Sequence, residues 1–209
     1  MGIIAIRHGQ SQISHKMREN GISSKPTNWK EIKDIATIRN KDTEDSGLSE
    51  KGKGQIKQIS KVLKKYKIDE VYISKMQRVK ESYGILRETC KLPKYQEDGR
   101  LNAILSGVLH GHISVDSEKY FKSLPAKAID SKQFAYNYQT GESQFKAVQR
   151  VYNFLDDTRK IWEKKNVLLI THKSTLRIIN TYFNEILNDE IYEFNPKNSE
   201  ILLYGKIFE

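Results

Sequence analysis

Ile3-Ile4-Ala5-Ile6-Arg7-His8-Gly9-Gln10-Ser11 is the stretch that decides the fold. Its apolar run is too short to cross a bilayer and suits a buried strand. Residues just past a buried strand lie at its carboxyl end, where open α/β sheets place their ligands. Arg7 offers a planar fork of donors that fits phosphate or carboxylate. His8 is a nucleophile or general acid/base that works near neutral pH. Gly9 permits a sharp turn or a close approach of backbone to ligand. Together these residues suit the capture of a phosphoryl group and its attack by an imidazole. The same tripeptide also fits a strand end with a surface Arg–His pair.

The 209 residues suit one domain with room for a substantial core, and the whole chain, 1–209, reads as that domain. The start of the chain lacks a signal-peptide pattern, and no apolar run is long enough for a membrane span. Cys90 is the single cysteine, which excludes a disulfide framework and a cysteine-based zinc site and points to the cytoplasm. The net charge of +10 points to anionic partners. The lysines are scattered, so a phosphorylated small molecule is favoured over nucleic acid, and a solvated lysine-rich surface is the plainest reading. The sequence indicates neither a membrane partner nor an oligomeric state.

Outward from the first strand comes a polar segment, Gln12 to Gly47, with a short helix expected over 29–39. Long connections in compact domains are usually functional, so this one is read as an excursion over the site. Ser49 is placed to cap a helix with Gln55, Ile59, Val62 and Leu63 on one face. Gly52 and Gly54 weaken that helix by up to about 1 kcal/mol each; they make sense where something packs closely. Ile68 to Ser74 reads as a strand, with Ser74 capping a helix through about Glu88. Cys90 to Gly111 reads as loop, followed by a polar, aromatic-containing stretch to Thr140 with a helix over 116–123.

Gly141-Glu142-Ser143 opens a long helix to about Lys164, its apolar face running Phe145, Val148, Val151, Tyr152, Leu155 and Trp162. Val167 to Thr171 is the clearest buried strand; it ends at His172 and leads into a helix through about Phe183. Ser199 to Phe208 reads as the last strand. Alternating strands and helices define an α/β class with a mostly parallel sheet. Parallel strands put their carboxyl ends on one side. Arg7, His8, Arg78 and His172 therefore converge on one crevice.

At this point the chain resembles a known family. Arg7-His8-Gly9-Gln10-Ser11 resembles the RHG-x-T/S signature of the histidine phosphatase superfamily, in its phosphoglycerate-mutase-like branch 1. Asp45 to Gln55 resembles its D-S-P-L-T-x-x-G-x-x-Q segment, and Ser74-Lys75-Met76-Gln77-Arg78 its S-P-L-x-R helix start. Gly141-Glu142-Ser143 followed by Arg150 resembles its G-E-S helix, and Leu169-Ile170-Thr171-His172 the strand that ends in its second histidine. The resemblance implies a Rossmann-like three-layer α/β/α sandwich and a phosphatase. It implies that His8 attacks phosphorus and carries a transient phosphohistidine, while Arg7, Arg78 and His172 bind the phosphoryl oxygens. Two guanidiniums suit a phosphate monoester, which carries about −1.5 to −2 charge at neutral pH. Nearby arginines also favour the neutral imidazole that attack requires. Gln10, Ser11, Ser14, Glu142 and Lys173 are expected at the substrate, with Glu142 equally suited to orienting an arginine. No metal or other cofactor is implied.

The chain departs from this pattern in places. Ser14 stands where many members carry asparagine, Gly47 and Lys75 replace prolines, and Lys173 stands where glycine is common. Arg100 to Gly107 resembles the family's L-N-E-x-x-x-G, yet the position of the glutamate, the usual proton donor, is Ala103. Without a positioned acid an alkoxide leaving group loses on the order of a hundredfold in rate. His110, His112 and Asp116 are candidate substitutes, with Glu142 a further one. Residues 106–138 are expected to form a lid or insertion, with Tyr120, Phe121, Phe134, Tyr136 and Tyr138 facing substrate or packing among themselves. Two other readings stand beside the phosphatase: a cofactor-dependent phosphoglycerate mutase, and a non-catalytic phosphate-binding module that kept the fold.

Overall fold

Side chains alternate between the two faces of the sheet along each inner strand, and that alternation builds the layers. A computed structural model describes residues 1–22, 46–104, 142–185, 191 and 193–207, with 30, 33, 34 and 37 as isolated positions. The strands are β1 (Gly2–Arg7), β2 (Glu70–Ile73), β3 (Tyr95–Glu97), β4 (Val167–Thr171) and β5 (Ile201–Gly205). Their order across the sheet is β3-β2-β4-β1-β5. All pairings are parallel except β1 with β5. The described helices are α1 (Gln12–Glu19), α2 (Glu50–Leu63), α3 (Gln77–Thr89), α4 (Gln144–Asp157), α5 (Arg159–Trp162) and α6 (Lys173–Asn184).

Ile3, Ala5, Tyr72, Val167 and Leu169 face one side of the sheet, where they pack with Val151, Phe154 and Leu155 of α4 and Leu176, Ile178 and Ile179 of α6. Ile4, Ile6, Val71, Ile73, Leu168 and Ile170 face the other, against Ile56 and Leu63 of α2 and Val79, Tyr83 and Leu86 of α3. Strand side chains alternate with period two, so each inner strand feeds both cores. This is the expected α/β/α sandwich.

Several local expectations need correction. The segment after Ser11 is not all excursion: it folds as α1, capped by Ser11, whose hydroxyl accepts from Ser14 N–H. Only Met17 of α1 is buried, which is why its polar sequence hid it. β3 lies inside the stretch read as loop. The long helix after Ser143 stops at Asp157, and Phe145 at its start is 52% exposed rather than core. The inner face of α2 is Gly52, Ile56, Ser60 and Leu63, while Val62 is exposed. The last strand is shorter than expected, Ile201–Gly205. The expected helices over 29–39 and 116–123 and the lid over 106–138 fall almost wholly outside the described residues.

A contact at Gly52 explains the rotation of α2. A Cβ there would meet Gln10 O at 2.1 Å, and one at Gly9 would meet Gly52 O at 2.3 Å. The two glycines let the start of α2 press against the backbone just after His8. Gly54 has nothing within 4 Å of its virtual Cβ. Gly52→Ala is therefore expected to destabilise by about 3 kcal/mol, because backbone on both sides must move. Gly54→Ala is expected to stabilise by about 0.5–1 kcal/mol. Urea unfolding midpoints of the two variants should move in opposite directions; a shared direction defeats this account.

Candidate active site

Strand register brings the catalytic candidates to one level. Arg7 pairs with Thr171, and Ile73 with Ile170, so Arg7, Ser74 and Thr171 share a row at the carboxyl edge. His8 and His172 each follow by one residue. The His8 N–H donates to Thr171 O at 3.0 Å, and the ring centroids lie 5.0 Å apart. Arg78, in the first turn of α3, reaches both rings: its Nε lies 3.3 Å from His8 Nε2, and its Nη2 lies 3.3 Å from His172 Nδ1. Arg7 donates from Nη1 to Pro196 O at 2.8 Å. Its Nε is buried without a hydrogen-bond partner, a donor still available for an anionic oxygen.

Local structure determines the chemistry of His8. Its Nδ1 lies 2.6 Å from Gly9 O. A carbonyl only accepts, so Nδ1 carries the proton and Nε2 bears the lone pair. Burial, Arg78 and Arg7 hold the His8 pKa well below 6.5. Burial, Arg78, His8, Arg150 and Arg7 do the same for His172. Arg7 is lowered to about 10 by burial and by Arg18 and Arg177, with Glu200 opposing, and stays charged at neutral pH. The amino ends of α1 and α6 lie close to His8 and His172 in sequence and add positive potential that favours an anion.

The surroundings hold this geometry. Asn198 Nδ2 donates to His8 O at 3.0 Å, and Ser199 N to Arg7 O at 3.0 Å, so the turn before β5 clamps the end of β1. Gly47 O accepts from Gln12 N–H at 3.0 Å, and Gln10 O from Ser49 N–H at 2.9 Å. Gln10 is buried, its Oε1 accepting from Ser49 Oγ at 3.1 Å. Ser11 Oγ donates to Ser14 Oγ at 2.9 Å. Glu142 forks onto Arg150 at 2.6 and 2.9 Å; it orients an arginine. Lys173 opens α6 directly after His172. Ala103 is half-buried beside Asn102. His110, His112 and Asp116 lie outside the described residues. Among the described residues no group of histidine, cysteine, aspartate and glutamate is arranged to hold a metal ion.

Ser74 does not cap α3. The cap position belongs to Met76, and the Ser74 hydroxyl faces His172 Nε2 at 2.8 Å and Asn102 Oδ1 at 2.9 Å. A serine before a helix reads as a cap, which concealed this role. Ser74 and Asn102 are the site residues that sequence reasoning missed; their only signal was membership in two of the quoted motifs.

The two buried imidazoles make stability depend on pH. Unfolded, both titrate near 6.5; folded, both lie well below it. Above roughly pH 6.5 both are neutral in both states. As pH falls below that value the unfolded chain takes up protons that the folded chain refuses. Stability then falls by up to about 1.4 kcal/mol per pH unit for each histidine. Chemical unfolding between pH 6.5 and 5.5 should show this loss, and His8→Gln should remove about half of the slope. An unchanged slope in His8→Gln would contradict the assignment.

Two guanidiniums and two lone-pair imidazoles at a parallel sheet edge make a site with the chemistry to hold an anionic group. Comparison with known proteins specifies the class further. The chain matches the histidine phosphatase superfamily (branch 1) over residues 3–204 and belongs to it. It is 24% identical to the 2,3-bisphosphoglycerate-dependent phosphoglycerate mutase of Lactobacillus acidophilus, over 97% of this chain and 92% of that one. It is 27% identical to the fructose-2,6-bisphosphatase of Saccharomyces cerevisiae, over 75% of this chain and 33% of that one. In fold it is similar to Bacillus stearothermophilus YhfR, with TM-score 0.71, 21% identity and coverage of 96% and 89%. It is also similar to a mycobacterial glucosyl-3-phosphoglycerate phosphatase solved with VO3, with TM-score 0.68, 15% identity and coverage of 96% and 89%.

Proposed function

We propose that this chain is a phosphatase that hydrolyses a phosphomonoester through a phosphohistidine on His8. The observation that carries the reading is the lone pair on His8 Nε2, held by the Nδ1–Gly9 O bond and placed 3.3 Å from Arg78 Nε. Arg7, Arg78 and His172 hold the phosphoryl oxygens. Nε2 attacks phosphorus in line, the Nε2–P bond forms and the P–O bond to the leaving group breaks. Water then attacks phosphorus and releases the histidine. Guanidiniums fixed beforehand around the transferring group supply most of the stabilisation such a step needs. A covalent intermediate divides one hard transfer into two easier ones. Gln10, Ser11, Ser14 and Lys173 are proposed as substrate-side residues. Glu142 acts through Arg150. The proposed proton donors are His110, His112 and Asp116. The substrate is a phosphorylated small molecule rather than nucleic acid, residues 1–209 form one domain, and the protein works in the cytoplasm, as its single, buried Cys90 suggests.

The test is hydrolysis of an aryl and an alkyl phosphomonoester by the wild-type protein. Cleavage of both supports a phosphatase with a substitute acid. Cleavage of the aryl ester alone means that no acid serves the leaving group. Cleavage of neither, with phosphate still bound, replaces the phosphatase with a non-catalytic phosphate-binding module. Similarity to the Lactobacillus mutase along nearly the whole chain favours one rival, the phosphoglycerate mutase. Rapid phosphoglycerate isomerisation with a bisphosphorylated primer would establish that rival; Ala103, at the expected acid position, speaks against it.

A further inference from the structure

The protons around His172 can be assigned one bond at a time. Lys75 N–H donates to Asn102 Oδ1 at 3.0 Å, which fixes the amide with its oxygen toward the end of β2. A carbonyl oxygen only accepts, so Ser74 O–H must donate to that same atom, at 2.9 Å. The single hydroxyl proton is thereby used. The 2.8 Å contact of Ser74 Oγ with His172 Nε2 therefore runs from Nε2–H to the hydroxyl oxygen. His172 is neutral, so Nδ1 is bare and accepts from Arg78 Nη2 at 3.3 Å.

Asn102 is itself tightly held. Its carbonyl accepts from Arg150 Nη2 and from Thr175 Oγ1, each at 2.9 Å. The carbonyl of Leu101 accepts from Thr171 Oγ1 at 2.6 Å, and that of Arg100 accepts from Arg150 Nη1. Side chains from α4, β4 and α6 thus anchor one short turn, and that turn specifies one proton.

We infer that Ser74 and Asn102 are positioning residues that hold the proton of His172 on Nε2, so that its bare Nδ1 faces the phosphoryl pocket and a phosphoryl dianion binds there together with one proton. The inference rests on the reading of this site as a phosphoryl pocket. A bare ring nitrogen against an anionic oxygen sets lone pair against lone pair. The contact becomes attractive only when a proton lies between them, on Nδ1 or on the oxygen. The charged and titratable groups around the ring are Arg78 of α3, Arg7 and His8 at the end of β1, and Arg150 of α4, and they disfavour an imidazolium. A bound dianion offsets those cations and reverses the preference.

The test needs two readings on the free protein and its complex with inorganic phosphate. Histidine ¹⁵N–¹H correlation spectra should show His172 as the Nε2–H tautomer. Titration calorimetry above the second ionisation of phosphate should show a Kd that rises about tenfold per pH unit, the signature of one proton taken up on binding. Ser74→Ala and Asn102→Ala should each admit the Nδ1–H tautomer, flatten that dependence and lower kcat/KM by about tenfold or more. Asn102→Asp keeps an acceptor for Ser74 and should keep the wild-type tautomer. An Nδ1–H tautomer in wild type, a flat Kd, or no binding of phosphate overturns the inference. Wild-type protein that binds phosphate with its proton but hydrolyses no phosphomonoester overturns the phosphatase reading alone.

Discussion

His8→Ala is expected to lower phosphomonoester hydrolysis by about 10⁴-fold or more, the scale on which covalent catalysts lose rate with their nucleophile. The expectation follows from the geometry. Among the described histidines, only His8 combines a lone pair at Nε2 with a backbone acceptor, 2.6 Å away, that fixes its tautomer. His172 cannot replace it, because its bare nitrogen is Nδ1 and its ring is tied to Ser74. Substrate binding should persist in the variant, since Arg7, Arg78 and His172 remain. Acid-free quenching after brief exposure to a ³²P-labelled substrate should trap an acid-labile label on wild type and none on His8→Ala. Equal rates in the two proteins would remove the histidine mechanism altogether.

Arg78→Lys should cost on the order of 10³-fold in kcat/KM, although the charge is conserved. Arg78 does two things at once: its Nε meets His8 Nε2 and its Nη2 meets His172 Nδ1. A planar fork with separated donors can span both rings, and a single ammonium cannot. The variant should also let the His8 pKa change, since Arg78 is, after burial, the largest influence that lowers it. Loss of rate with retained folding, checked by thermal unfolding, supports the assignment. A rate within a few-fold of wild type would mean that charge alone, without the fork, suffices.

Sequence alone determined the inner strands and the edge at which they end. β1 and β4 were legible because they are continuous apolar runs buried on both faces, and a half-exposed strand such as β3 carries no such signature. Arg7, His8, Arg78 and His172 were legible because each ends a strand or follows one closely, and parallel strands share one carboxyl edge. α1 escaped notice because a helix with one buried side chain lacks a periodic apolar face. What only the tertiary structure decided is the state of the site. The tautomer of His172 depends on Ser74, 98 residues away, and the direction of the Ser74 hydroxyl proton on Asn102, 28 residues away. The burial of both imidazoles, and the nearness of the Arg78 and Arg7 guanidiniums that hold them neutral, arise only when separate strand ends meet in the folded chain. A sequence names the groups that carry protons, but hydrogen-bond partners brought together by folding decide which atom holds each one.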